Sequence, residues 1–176
     1  MEKVNVWKAN LTNGLIMGLV GIVFTLVVYF FDLTFNKANT YIFLAISAVL
    51  LYFLIISYRN NHLHGYITYG QSVGAGVIIF LYYSIISSIF MYLLYKVIDP
   101  GLTEKMLAFI EEQMLKKGIP EANMESIMAM QKKIMKPEIM SVIGIFNNMV
   151  FGTVISLLVS IFTRKEGNPI VDSSTI

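Results

Sequence analysis

At 176 residues, with 56% hydrophobic and 14% charged side chains, the chain is too apolar for a water-soluble globule, whose composition runs nearer about 45–50% and about 25%. A net charge of +2, with no basic stripe interleaved with aromatics, argues against nucleic acid as a partner. The lack of cysteine excludes disulfides, thiolate metal sites and palmitoylation, and there is enough polar chain for only one domain, placed over residues 1–165.

Residues 1–10 read as a short helical lead-in, with Trp7 suited to an interfacial aromatic belt. The run 11–31 then carries no charge and is long enough to cross a bilayer as a helix of about 20 residues. One central Lys or Arg would cost about 2.5–3.5 kcal/mol there. The run outlasts the roughly 7–15 apolar residues of a signal peptide and ends in Tyr29-Phe30-Phe31-Asp32, so it is expected to be a retained span. Gly14, Gly18 and Gly21 lie on related faces and invite close helix approach. The polar loop 32–39 is short and makes the first two spans antiparallel neighbours. The second span, 40–58, is flanked by Tyr41 and Tyr58.

A turn rich in Asn and Gly, with His62 and His64, leads past Tyr66 and Tyr69 into a third charge-free run, 70–95. That run is long enough to tilt or to project beyond the membrane. Between residues 96 and 138 the pattern changes to alternating charge and apolarity. Asp99-Pro100-Gly101 breaks the third helix, and Thr103 is the expected N-cap of a new one. Leu102, Met106, Phe109, Ile110 and Met114 recur at helical spacing within it. Gly118 ends this helix and Pro120 starts another, whose apolar side carries Met124, Ile127, Met128, Gln131, Ile134 and Met135 until Lys136-Pro137 closes it. A fourth charge-free run, 139–163, contains Gly144, Asn147, Asn148, Gly152 and Ser156 and stops at Arg164-Lys165; the tail 166–176 has no periodicity and is expected to be disordered. The expected fold is an all-α membrane protein of four transmembrane helices, with an amphipathic helical hairpin between spans three and four.

An even number of spans puts both termini on one side. Lys3, Lys8 and Arg164-Lys165 flank the first and last spans closely, so the termini are expected in the cytoplasm. A plain count of Lys and Arg over the long loop favours the opposite orientation, because seven lysines lie there. They are balanced by Asp99 and six glutamates and sit mostly within the predicted helices.

The order of elements resembles the bacterial membrane-protein family catalogued as domain of unknown function 4199. The likeness rests on Gly65-Tyr66-Ile67-Thr68-Tyr69-Gly70-Gln71 leading into span three, on Asp99-Pro100 opening a charged helical insert, and on Met135–Glu138 and Arg164-Lys165 bounding span four. The resemblance implies a small integral inner-membrane protein of uncharacterised activity, and it carries no catalytic residues over.

Two sets of residues stand out as candidate contact sites. The first is the hairpin face formed by Met106, Phe109, Ile110, Met114, Met124, Ile127, Met128 and Met135. Thioethers bind Cu(I), but these positions are where an amphipathic helix places its packed side, and Met suits adaptable contact surfaces. They are therefore read as packing or partner contacts, with Met130 pointing off the stripe. The second set is polar and at membrane depth: Asn13, Gln71 and the pair Asn147-Asn148. An amide in hydrocarbon costs several kcal/mol unless hydrogen-bonded, so these residues are expected to bridge helices or to line a small polar path. His62 and His64 leave most of a tetrahedral metal shell empty and read as a solvated turn.

No His-Glu-x-x-His helix, Gly-x-Ser-x-Gly elbow or phosphate-cradling loop is present, and the spans hold no ionisable residue for a proton relay or coupled transport. The sequence thus points to a non-enzymatic structural, accessory or interaction component, with no cofactor and no metal. Its partners would be the lipid bilayer and either a second copy or another membrane protein. A small homo-oligomeric transporter or channel is the alternative, and a lipid-sensing role for the 96–138 hairpin is a third.

Overall fold

The structure is a computed structural model that describes residues 5–166. In chain order its helices are α1 (Val6–Phe30), α2 (Ala38–His62), α3 (Tyr69–Leu93), α4 (Leu102–Lys116), α5 (Glu121–Ile134) and α6 (Pro137–Thr163), with a π-helical turn over Leu94–Ile98 prolonging α3. Helices α1, α2, α3 with its extension, and α6 are long and apolar enough to cross a membrane. The expected fold class is the one found. Of the tail predicted to be disordered, residues 167–176 lie outside the described residues.

Helix boundaries follow local capping chemistry, and several differ from the sequence reading. The Asn5 side-chain oxygen accepts from the backbone N–H of Trp7 (3.0 Å) and of Lys8 (3.3 Å). This satisfies donors that a helix start leaves free. No breaker follows, so the lead-in and the first span form one continuous helix. Gln71 does not reach across the bundle: its Oε1 accepts from the N–H of Thr68 (3.0 Å) while Thr68 Oγ1 accepts from the N–H of Gln71 (3.3 Å). This reciprocal capping box fixes the start of α3. Thr103 is not the N-cap of α4. Gly101 takes that position, and Asp99 Oδ1 holds the Gly101 N–H at 3.1 Å. Pro137 does more than close α5: it occupies the first turn of α6, where its missing N–H costs nothing. Gly118 ends the α4 segment as expected, at a φ of +68° that glycine adopts without strain.

The four long helices pack around α3, which lies against α6 and α1, while α2 bridges α1 and α6. The α3–α6 contact is a seam of small residues. Ser72 faces Ser160 and Thr163, Gly76 faces Ser156, Phe80 faces Gly152, and Ser88 faces Gly144. The first steps are four residues and the last is eight along both helices, which run antiparallel, so backbones approach closely down one stripe. On α1 the three glycines expected to permit close packing do so. Gly14 abuts Tyr82, while a Cβ on Gly18 would lie 2.8 Å from the Ile86 side chain and one on Gly21 would lie 2.6 Å from the Tyr83 ring. Met17, Leu51, Ile55, Ile79, Phe80 and Ile155 fill the centre. Leu19, Phe30, Phe53, Phe146 and Phe162 point outward, as bilayer contact requires.

Each end of the bundle is tied off differently. At the end where α1 begins and α6 finishes, Ile67 and Lys165 exchange two backbone hydrogen bonds of 2.9 Å, and the Arg59 guanidinium donates to the Thr163 carbonyl at 3.0 Å. The opposite end bears the hairpin. There Tyr29 and Lys105 both donate to Asp99 Oδ2 at 3.3 Å, and Phe109 stacks on Phe35 of the α1–α2 loop with ring centroids 5.1 Å apart. Helix α4 therefore lies against the end of the bundle instead of projecting away from it.

Candidate functional site

The amides expected to work at membrane depth separate into two kinds. Asn13 is buried on α1, and its Nδ2 donates to Asn10 Oδ1 (3.1 Å) and to the Leu54 carbonyl of α2 (3.3 Å). Asn10 in turn donates to the Val6 carbonyl at 3.0 Å. All of these bonds hold α1 to itself and to α2, so this pair is structural. Asn10 escaped the sequence reading because it was placed in a lead-in, outside the bilayer.

Asn147 and Asn148 are different. Neither has a side-chain hydrogen bond among the described residues, and both line a cavity of about 270 Å³ between the long helices. Asn147 is exposed at its edge and Asn148 is half-buried. From α2, Asn39, Thr40 and Phe43 face the same space. Helix α1 adds Phe24 and Thr25, α3 adds Tyr83, and Phe151 comes from the next turn of α6. The lining has two characters. Phe24, Phe43 and Tyr83, from three different helices, form a continuous aromatic wall with centroid spacings of 5.1 and 5.7 Å. The polar part of the lining is the amides of Asn39, Asn147 and Asn148 and the hydroxyls of Thr25 and Thr40.

Two of the polar groups are already engaged: Thr25 donates to the Gly21 carbonyl at 2.9 Å, and the Asn39 amide donates to the Leu33 carbonyl. The amides of Asn147 and Asn148 and the Thr40 hydroxyl retain free hydrogen-bonding capacity. No lining residue carries a charge. Sequence inspection singled out the Asn147-Asn148 pair. It could not foresee Thr40 and Tyr83 joining it, because helices α2 and α3 supply them from distant positions.

The hairpin methionines are mostly used inside the chain. Met114, Met124 and Met135 are buried, and Met106 lies beneath the Tyr95 hydroxyl, 3.9 Å from its sulfur, beside Leu94 and Leu102. Phe109, Ile110, Ile127 and Met128 are half-buried. The set divides between the two uses the sequence left open: the buried members pack within the chain, and the half-buried ones keep part of their surface free. What the hairpin leaves outside is Leu115 (60% exposed), Met130 (54%) and Ile134, close in sequence to Lys116, Lys117, Lys132, Lys133 and Lys136. His62 packs against Tyr58 with centroids 5.8 Å apart, and His64 holds a left-handed φ of 53° in the turn.

A family model described as "Protein of unknown function (DUF4199)" matches residues 12–165. Comparison with curated proteins and with solved structures found no match.

Proposed function

We propose, from the premise that this chain belongs to the DUF4199 family of proteins of unknown function, that it is a non-enzymatic interaction component of the bacterial cytoplasmic membrane. The observation that carries this reading is the surface left on the seated hairpin. Leu115 on α4 and Met130 and Ile134 on α5 stay exposed, each close in sequence to lysines, while Met114, Met124 and Met135 are buried. An apolar surface rimmed by charge is the usual composition of a protein contact site. The long helices support the same conclusion, since their only charged side chains lie near the helix ends and none sits where a proton relay or an activated nucleophile would need it. In this reading the termini are cytoplasmic, and the hairpin meets a membrane-protein partner on the other face.

Because the chain has no native cysteine, single cysteines give an unambiguous test. Met130→Cys and Leu115→Cys, crosslinked in native membranes, are expected to yield a discrete adduct that the lipid-facing Phe146→Cys does not. Identical patterns from all three would overturn the proposal. A reporter fused within residues 111–133 that is active in the cytoplasm would reverse the orientation.

A second reading, a homo-oligomeric transporter or channel, is favoured by the uncharged cleft at Asn147 and Asn148. Flux of neutral solutes into liposomes carrying the purified chain would support it, and no flux across a solute panel would remove it.

A further inference from the structure

The cleft among α1, α2, α3 and α6 is lined both by unused hydrogen-bonding groups and by three aromatic rings packed in series. At about 270 Å³ it lies just under the roughly 300–1,000 Å³ of pockets for drug-sized ligands, and is far larger than the roughly 30 Å³ share of one water. It therefore suits one small group. With no ionised residue in its lining, a charged ligand would sit uncompensated at membrane depth, which is costly. A bare acyl chain would cover Asn147 and Asn148 without satisfying their amides, and an unpaired buried amide is unfavourable by itself. The matching chemistry is uncharged, carries hydroxyls along one edge and presents an apolar C–H face to rings.

We infer that this cleft binds an uncharged polyhydroxy group, a sugar or polyol moiety. Its hydroxyls pair with the Asn147 and Asn148 amides and with Thr40, while its C–H face lies on the wall of Phe24, Phe43 and Tyr83. Such a group has two sources. It is the headgroup of a neutral glycolipid entering sideways, past the exposed Asn147, or it is a free sugar arriving from the aqueous end near Thr40. This inference does not depend on the hairpin acting as a contact surface.

The test uses the full chain in a polyoxyethylene detergent, free of glycosides, and native mass spectrometry with three probes: monoglucosyl diacylglycerol, methyl glucoside and phosphatidylglycerol. One glucoside is expected to bind saturably at one per chain, and phosphatidylglycerol is expected neither to occupy nor to compete for that site. Binding of the lipid alone assigns lateral entry, and binding of methyl glucoside alone assigns a solute site. The paired change Asn147→Leu and Asn148→Leu removes two hydrogen-bonding groups and should weaken binding at least about tenfold, with the helical circular dichroism unchanged. Should that variant lose its fold, Thr40→Val removes one hydroxyl at the rim and should weaken binding by about threefold to tenfold. Failure of both glucosides to bind, undiminished binding in the folded variants, or displacement by phosphatidylglycerol overturns the inference.

Discussion

The ring of Phe80 on α3 occupies the space that any side chain at Gly152 of α6 would need. With Gly76 against Ser156 one turn away, this missing Cβ lets the two helices approach closely at mid-seam. Gly152→Leu is expected to destabilise the bundle by about 1–3 kcal/mol, the usual cost of overpacking a filled core. Gly74 provides the contrast, because a Cβ there meets nothing within 4 Å. Gly74→Ala should leave stability unchanged or raise it by up to about 1 kcal/mol through helix propensity. Denaturant unfolding of the purified variants in micelles measures both. Equal destabilisation by the two changes would show that the seam does not hold the bundle.

A hydroxyl cluster closes the same seam where α3 begins and α6 ends. Ser72 Oγ donates to Ser160 Oγ at 2.9 Å and lies 2.6 Å from Thr163 Oγ1, and all three groups are buried. Interhelical hydrogen bonds in membranes average about 0.6 kcal/mol, so Ser72→Ala, which breaks both contacts, should cost about 1 kcal/mol. A double-mutant cycle of Ser72→Ala with Thr163→Val should show a coupling of about 0.5 kcal/mol or more, since the two residues share one contact. Strict additivity would mean that the short Ser72–Thr163 contact contributes nothing to stability.

The four charge-free runs and the hairpin were legible because hydropathy and helical period speak directly to bilayer length and amphipathicity. Gly14, Gly18 and Gly21 were legible as packing positions for the same reason, since small residues on one face have few other uses in lipid. Seam partners were not. Ser72, Gly76, Phe80 and Ser88 pair with positions on α6 only once the antiparallel register is known, and register is a tertiary property. Caps were half legible. Gln71 was read as a membrane-depth amide, but its nearest unsatisfied donor is the Thr68 N–H three residues back. The local bond wins over a distant one because it requires no ordering of another helix.

The hairpin is held down by an aromatic pair between Phe35 and Phe109, rings 5.1 Å apart and nearly parallel at 17°. Such pairs contribute about 0.5–1.5 kcal/mol beyond the area they bury. Phe109→Ala, which also removes buried area, should raise the undocked population at least several-fold. Trypsin cleavage after Lys116 or Lys117, at the C-terminal end of α4, reports that opening. Faster cleavage with unchanged stability of the long helices is the expected pair of results. If cleavage does not change, α4 is held by Asp99 with Tyr29 and Lys105 instead.

Charge scanning of the methionines separates anchors from surface. Met124 and Met135 are 8% and 7% exposed, whereas Met130 is 54% exposed. A carboxylate forced into either buried site loses its hydration, and burying a charge ranks among the few changes that cost several kcal/mol. Met124→Glu and Met135→Glu should therefore undock the hairpin and speed proteolysis at the C-terminal end of α4. Met130→Glu should leave proteolysis at its original rate and act only on whatever touches the hairpin from outside. Loss of a crosslinked partner in Met130→Glu alone would thus identify a surface contact, because its helix remains seated. Partner loss in Met124→Glu would not, since the unseated hairpin could lose its partner for want of structure. Equal proteolysis in all three variants would mean that the methionine face does not seat the hairpin.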